Sequence, residues 1–164
     1  MKIRETVSKS CCFLGHRKIA VTEDLITHLR LVIDTLIQNY GVDTFLFGSR
    51  SDFNRLCHEI VSEMKLTHKC LKRIYVRAEY SQISNSYKRY LLQYYESTYY
   101  PEEIKHSGKA AYVERNREMI EKSAYCVFYY SKDYSLEKSG TRIAYEYAKR
   151  KHRIIYNVCE WADE

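Results

Sequence analysis

Short apolar runs alternate along the chain with longer segments whose apolar residues recur every three or four positions. Five of the runs have the length and composition of strands buried in a sheet: residues 11–14, 44–47, 73–76, 124–129 and 153–158. Four segments carry the one-sided apolar face of a helix: residues 22–40, 51–64, 110–123 and 140–150. Strands that alternate with helices favour a parallel sheet, because parallel neighbours cannot be joined by a hairpin. The pattern predicts a Rossmann-like, doubly wound α/β fold, with about five strands in a mostly parallel sheet and helices on both faces.

Capping residues set the limits of the first two helices. Thr22 is suited to begin the first helix, because its side-chain oxygen can accept a hydrogen bond from a free amide of the first turn. Gly41 is suited to end that helix. Ser51 or Asp52 is expected to cap the start of the second helix in the same way.

Residues 77–108 do not follow this alternation. They contain many of the 17 tyrosines of the chain; residues 87–95 look helical, whereas Pro101 and the polar residues before it interrupt the pattern. We expect residues 1–164 to form one domain in which 77–108 are a Tyr-rich insertion or lid. A surface rich in tyrosine also suits subunit contacts, so a homodimer is among the partners that we expect.

Length and composition narrow the class of protein. No apolar run approaches the roughly 18 residues needed to cross a bilayer, and the start lacks the apolar centre of a secretion signal. The 6 cysteines are scattered without a Cys-x-x-Cys pair, which favours small buried hydrophobes over disulfides. We therefore expect a cytoplasmic protein that has no membrane segment. The formal charge of +6 is mixed with acidic residues, so nucleic acid is a partner that the composition permits but does not favour.

Three short loops rich in glycine and hydroxyl groups follow predicted strands or begin predicted helices. In open parallel sheets, ligands bind beyond the carboxyl ends of the strands, where free amides at helix starts and arginine side chains attract anions. Each loop also has a plainer explanation as a turn or a helix cap. We expect ligand binding because the loops should meet at one edge of the sheet. The candidate ligand-binding residues in these loops are Gly15, His16, Arg17, Gly48, Ser49, Arg50, Ser51, Asp52, Ser139, Gly140 and Thr141.

Arg115 and Asn116 are two further candidates, in the helix that precedes the fourth predicted strand. Contact with a ligand and pairing within the fold are both compatible with their positions. The histidines show no His-x-x-x-His spacing, and the chain has neither a P-loop nor a three-glycine dinucleotide motif. We expect no metal site and no bound cofactor.

Four motifs carry a resemblance to a known family. They are the runs 11–17, 45–52 and 115–119, and Ser139-Gly140-Thr141 together with Tyr147-Ala148. These motifs resemble the SLOG superfamily, a Rossmann-like group related to the DprA/SMF and Lonely-Guy proteins, and are most similar to its small uncharacterised bacterial members. The resemblance covers nearly the whole chain except residues 77–108.

The resemblance implies a nucleotide or nucleotide-sugar ligand at the carboxyl edge of the sheet and, in some relatives, hydrolysis of the N-glycosidic bond of a nucleoside monophosphate. Two departures matter. Ser51 stands where some members have a second glycine, and Ala144 stands where the enzymes have a glutamate three residues after the glycine-threonine pair. Glu146 is rotated by about 200° on the helix and would face away from a ligand at its start. We therefore expect binding or sensing of a nucleotide or nucleotide-derived ligand without catalysis.

Two other functions are compatible with the sequence. A nucleotide N-glycosidase or deoxyribosyltransferase-like enzyme would use a carboxylate from elsewhere: Glu146, Glu96, Glu102 or Glu103. A single-stranded nucleic-acid-binding module would use exposed tyrosines and the basic residues of one run: Lys149, Arg150, Lys151 and Arg153. The same basic run lies where cations stabilise a helix C-terminus, which is the plainer explanation.

Overall fold

The computed structural model describes residues 9–133 and 139–159, in which eleven elements alternate along the chain. The strands are β1 (Ser10–Gly15), β2 (Thr44–Phe47), β3 (Lys72–Val76), β4 (Ser97–Tyr99), β5 (Tyr125–Tyr129) and β6 (Ile154–Asn157). The helices are α1 (Glu23–Tyr40), α2 (Asp52–Lys65), α3 (Asn85–Leu91), α4 (Lys109–Glu121) and α5 (Gly140–Arg150). The predicted α/β class is confirmed.

The strands form one parallel sheet in the order β4-β3-β2-β1-β5-β6. β1 is central: Cys12 pairs in register with Leu46 of β2 on one side and with Cys126 of β5 on the other. From β1 the chain first winds outward through β2, β3 and β4, and it then returns through α4 to place β5 on the opposite side of β1. The strand order therefore reverses between β1 and β5, the position at which doubly wound sheets open a crevice for ligands.

Alternate residues of the strands divide the core between the two faces of the sheet. On one face, Cys11 and Phe13 of β1 belong to the buried cluster that includes the apolar sides of α1 and α2. On the other face, Cys12 and Leu14 belong to the cluster that includes α4 and α5. This division is the period-two alternation of a strand, and it confirms helices on both faces.

The sheet has one strand more than the five apolar runs indicated. β4 consists of Ser97, Thr98 and Tyr99, and it pairs with β3 at the edge of the sheet. The strand lacks an apolar run because it is short, partly exposed and mostly polar, as edge strands commonly are. Part of the Tyr-rich segment 77–108 thus belongs to the sheet, and α3 lies within the same segment. Its function as a lid stays a prediction.

The predicted helix caps are present. The Thr22 hydroxyl accepts a hydrogen bond from the amide of Leu25, and Gly41 ends α1 in the left-handed conformation with φ 70°. Of the two residues considered for α2, Ser51 is the cap, and Asp52 is the first helical residue. The local signals therefore place these boundaries correctly.

We predict that Gly15→Ala destabilises the protein because of its packing at the end of β1. A Cβ built on Gly15 would lie 2.4 Å from Cδ2 of Phe53, which is fully buried. Over-packing of this kind costs about 1–3 kcal/mol in the free energy of unfolding, measurable by urea denaturation. Gly140→Ala is the matched control, because a Cβ there meets nothing within 4 Å. Equal stability of the two variants would contradict the prediction.

Candidate functional site

The loops that leave β1 and β2 are joined to each other at the carboxyl edge of the sheet. The amide of Asp52 donates to the carbonyl oxygen of Arg17 at 2.7 Å. In return, the amide of Ile19 donates to Oδ2 of the Asp52 carboxylate at 3.3 Å. Asp52 therefore ties the first turn of α2 to the β1 exit loop. The structure brings these two predicted loops together as the parallel sheet requires.

His16 joins the β1 exit loop to the β5 exit loop, at the point where the strand order reverses. Its ring is buried with 3% exposure, and its Nε2 accepts a hydrogen bond from the amide of Ser131 at 2.9 Å. Its own amide donates to the carbonyl oxygen of Tyr129 at 3.3 Å. Since Nε2 accepts, the bonded ring is neutral and carries its proton on Nδ1. Burial lowers the pKa of His16, which favours this neutral form.

Asn54, on the first turns of α2, links the ends of β1 and β2 from within the core. Its side-chain amide donates to the carbonyl oxygen of Phe13 at 3.2 Å and accepts from the amide of Gly48 at 3.2 Å. The hydroxyl of Ser51 accepts from the amide of Asn54 at 3.1 Å, which fixes the position of the helix start. Asn54 was not among the residues predicted from the sequence. Its only sequence signal is a polar residue on an otherwise apolar helix face.

Arg115 of α4 lies buried beneath the ends of β2 and β3, with 4% exposure. Its Nη1 donates to the carbonyl oxygens of Gly48 and of Val76, the latter at 3.3 Å, and its Nε donates to Oδ1 of Asn116 at 2.9 Å. Burial lowers the pKa of Arg115 to about 10, so the guanidinium stays charged at neutral pH. All three of these hydrogen-bond partners are uncharged oxygens. Arg115 therefore adds positive potential to this edge of the sheet.

Two of the predicted loop glycines are packed against the protein's own side chains. Gly15 lies against Phe53, as described above. A Cβ on Gly48 would lie 2.6 Å from Sδ of Met119 and 2.7 Å from Cδ of Arg115. The space beside these glycines is thus filled by the fold, whereas Gly140 has open space beside it. Close packing accounts for both glycines without a ligand.

Two adjoining clefts open near the carboxyl ends of β2, β3 and β4. The larger has a volume of 320 Å³ and is lined by Arg50, Glu79, Tyr80, Gln82, Ile83, Ser84 and Tyr87. The smaller has a volume of 180 Å³ and is lined by Ala78, Glu79, Tyr80, Tyr100, Ser107, Gly108 and Tyr112. Glu79 and Tyr80 line both clefts and so form the wall between them.

Polar contacts orient the side chains of the larger cleft. Nη2 of Arg50 donates to the hydroxyl oxygen of Tyr87 at 3.2 Å, and the Tyr87 ring stacks on that of Tyr90 with centroids 6.2 Å apart. The hydroxyl of Tyr112 donates to Oε2 of Glu79 at 2.9 Å. The cleft therefore presents one cation, one anion and tyrosine rings. Of these residues only Arg50 was predicted as a ligand-binding residue. Glu79 comes three residues after the end of β3, so a search of every loop that follows a strand would have included it.

The third predicted loop forms the start of α5. Ser139 caps the helix by accepting a hydrogen bond from the amide of Arg142 at 3.1 Å, and Thr141 is buried with 8% exposure. Within residues 9–133 and 139–159, no hydrogen bond joins Ser139, Gly140 or Thr141 to the loops after β1 and β2. The topology alone places this loop at the carboxyl edge of the sheet, because it follows the parallel strand β5. Its contact with a ligand stays a prediction.

None of the carboxylates considered for catalysis lines either of these clefts. Glu146 is half exposed and pairs with Arg142 at 3.3 Å. Glu96 precedes β4, at the opposite edge of the sheet, and pairs with Arg73 at 2.8 Å. Ala144, at the position of the expected glutamate, is 2% exposed within the apolar cluster under α4 and α5. Glu102 and Glu103 line neither cleft.

The basic run at the end of α5 is engaged within the fold. Arg153 donates to the carbonyl oxygens of Ile120 at 2.9 Å and Glu121 at 3.2 Å, at the C-terminal end of α4. Nζ of Lys151 lies 3.3 Å from the Glu121 carboxylate. Cations at a helix C-terminus offset its partial negative charge, and these contacts favour that explanation.

Comparison with known protein families and with curated proteins finds no match for this chain. In the parts of the chain that the structure describes, no helix has both the length and the apolar character to span a membrane. Across the same residues, no group of three or more histidine, cysteine, aspartate or glutamate side chains is placed to hold a metal ion.

We predict that the neutral His16 ring makes stability depend on pH. Burial lowers its pKa below the ordinary value of 6.5, so the unfolded chain binds a proton near pH 6.5 while the folded chain resists it. The free energy of unfolding should fall as the pH drops through 6.5, and this loss should stop below the folded-state pKa. Urea denaturation between pH 5 and pH 8 measures the slope.

His16→Gln should flatten that slope. Some slope should remain, because burial also lowers the pKa of His58. His152→Asn is the matched control, since His152 is exposed and asparagine tolerates its φ of 58°. A slope unchanged by His16→Gln would show that His16 does not carry this dependence.

Proposed function

We propose that this protein binds or senses a nucleotide or nucleotide-derived ligand at the carboxyl edge of its sheet, without catalysis. The observation that carries the proposal is the larger cleft, where Arg50 stands beside Tyr80 and Tyr87 at the exit of β2. The SLOG resemblance points to the same class of ligand at the same edge. The assignment to that superfamily is part of the proposal.

The chemistry of the cleft suits the parts of a nucleotide. A guanidinium matches the geometry of a phosphate, and tyrosine rings offer faces on which a base can stack. The volume of 320 Å³ lies at the lower end of the roughly 300–1,000 Å³ common for small-molecule sites. A ligand of one nucleotide fits this range better than a larger one.

The Tyr-rich segment supplies most of the cleft wall. Tyr80 is 64% exposed, while Tyr87 is held by its contacts with Arg50 and Tyr90. A side chain that is already held loses less conformational entropy when a ligand binds. This position beside the cleft suits a lid that covers the base of a bound nucleotide.

The surroundings of the expected catalytic position support binding over catalysis. Ala144 is enclosed by the apolar cluster beneath α5, so no carboxylate stands at that position. Glu146 is on the exposed side of α5 and paired with Arg142. Ala144 has no carboxylate, and the carboxylate of Glu146 is paired with Arg142. Neither residue therefore supplies a group that stabilises an oxocarbenium-like centre or activates water.

We predict that Arg50→Gln weakens nucleotide binding by about tenfold or more, because a charge-assisted hydrogen bond contributes roughly 1.5–3 kcal/mol. Calorimetry with nucleoside mono- and diphosphates and ADP-ribose measures the change. Arg89→Gln is the control, since Arg89 is exposed on α3 and lines neither cleft. Failure of every ligand to bind the unaltered protein would overturn the proposed function, and equal binding by Arg50→Gln would remove Arg50 from the site.

A further inference from the structure

Glu79 is the acidic residue that separates the two clefts. It is exposed, follows β3 by three residues and lines both cavities together with Tyr80. Among the described residues that line the larger cleft, Arg50 is the only cation. The cavity therefore holds one group that attracts a phosphate and one group that repels it.

The Glu79 carboxylate is oriented by a hydrogen bond from a residue of the smaller cleft. The hydroxyl of Tyr112 donates to its Oε2 at 2.9 Å. The guanidinium of Arg115 lies over the Tyr112 ring, with Cζ 5.5 Å from the ring centroid. An ionised carboxylate has about four acceptor sites, and in the described part of the chain only this one hydrogen bond to Glu79 is made. Its remaining acceptor sites are available to a ligand in the clefts.

An acceptor-only group in a phosphate-binding cleft selects for donors on the ligand. The donors that a nucleotide carries near its phosphate are the 2′ and 3′ hydroxyls of ribose. A carboxylate has two oxygens that can accept from these hydroxyls, and in dinucleotide-binding folds an acidic residue accepts from the ribose 2′-hydroxyl. A 2′,3′-dideoxy ligand would instead cover the carboxylate without donating to its remaining acceptor sites, which is unfavourable.

Resting on the proposed nucleotide-binding function, we propose that Glu79 makes this site selective for ribonucleoside phosphates, with Arg50 on the phosphate and Glu79 on the ribose diol. Tyr112 acts as a positioning residue, because it orients the carboxylate. The sugar is therefore the part of the ligand that Glu79 recognises. Glu79 could instead accept a hydrogen bond from an amino group of the base, and the test distinguishes this alternative from recognition of the ribose.

The test compares each ribonucleoside 5′-monophosphate with its 2′,3′-dideoxy counterpart by calorimetry, on the unaltered protein and on Glu79→Gln. The unaltered protein should prefer the ribonucleotide by about tenfold, as expected for a charge-assisted hydrogen bond. Glu79→Gln should reduce the preference to about twofold and bind the dideoxy ligand at least as tightly as before, because the repulsion of the phosphate is gone.

Two further variants make the test specific. Glu59→Gln is the charge-matched control, since Glu59 is exposed on α2 and lines neither cleft, and it should leave the preference unchanged. Tyr112→Phe should lower the preference partially, because the carboxylate loses its orienting hydrogen bond. Thermal denaturation checks that each variant is folded, which we expect because Glu79 and Tyr112 are exposed.

The outcomes separate the two proposals. No binding of any nucleotide would overturn the proposed function and the selectivity with it. Binding of ribo and dideoxy ligands with equal affinity would keep the function and overturn the role of Glu79. A ribose preference that survives Glu79→Gln would also overturn it, as would a change in base preference with the sugar preference unaltered.

Discussion

The common direction of all six strands is the constraint on which the site depends. Because every strand ends at the same edge of the sheet, loops far apart in the chain are brought together there. The central position of β1 between β2 and β5 places the reversal of strand order beside His16. An antiparallel strand in this sheet would have sent its exit loop to the opposite edge.

Buried polar side chains join these loops into one structure. Asn54 links the ends of β1 and β2, Arg115 links those of β2 and β3, and His16 links the loops after β1 and β5. Their named contacts satisfy backbone groups that the strand ends would otherwise leave unpaired, which is costly in a buried environment. The bonds to Gly48 anchor the start of the exit loop of β2, which carries Arg50 of the larger cleft.

Local physical rules account for the features that were predicted correctly from the sequence. The caps Thr22, Gly41 and Ser51 act within one turn of their own helix, so their effect is encoded in a few neighbouring residues. The alternation of apolar strands and amphipathic helices likewise needs no knowledge of distant contacts. β4 was not predicted because an edge strand of three mostly polar residues carries no apolar run. Its pairing with β3 is also not local, since Ser97 of β4 pairs with Ile74 of β3, 23 residues earlier in the chain.

By itself, the sequence determined the class of fold, most element boundaries and the sheet edge where loops meet, because these follow from local periodicity and from the rules of parallel connection. Only the tertiary structure decided what each loop residue does there. In the folded chain Phe53 packs against Gly15, Arg115 packs against Gly48, and Glu79 lines both clefts. Such pairings join residues far apart in the chain, and no spacing rule encodes them, since they depend on how helices pack across the finished sheet.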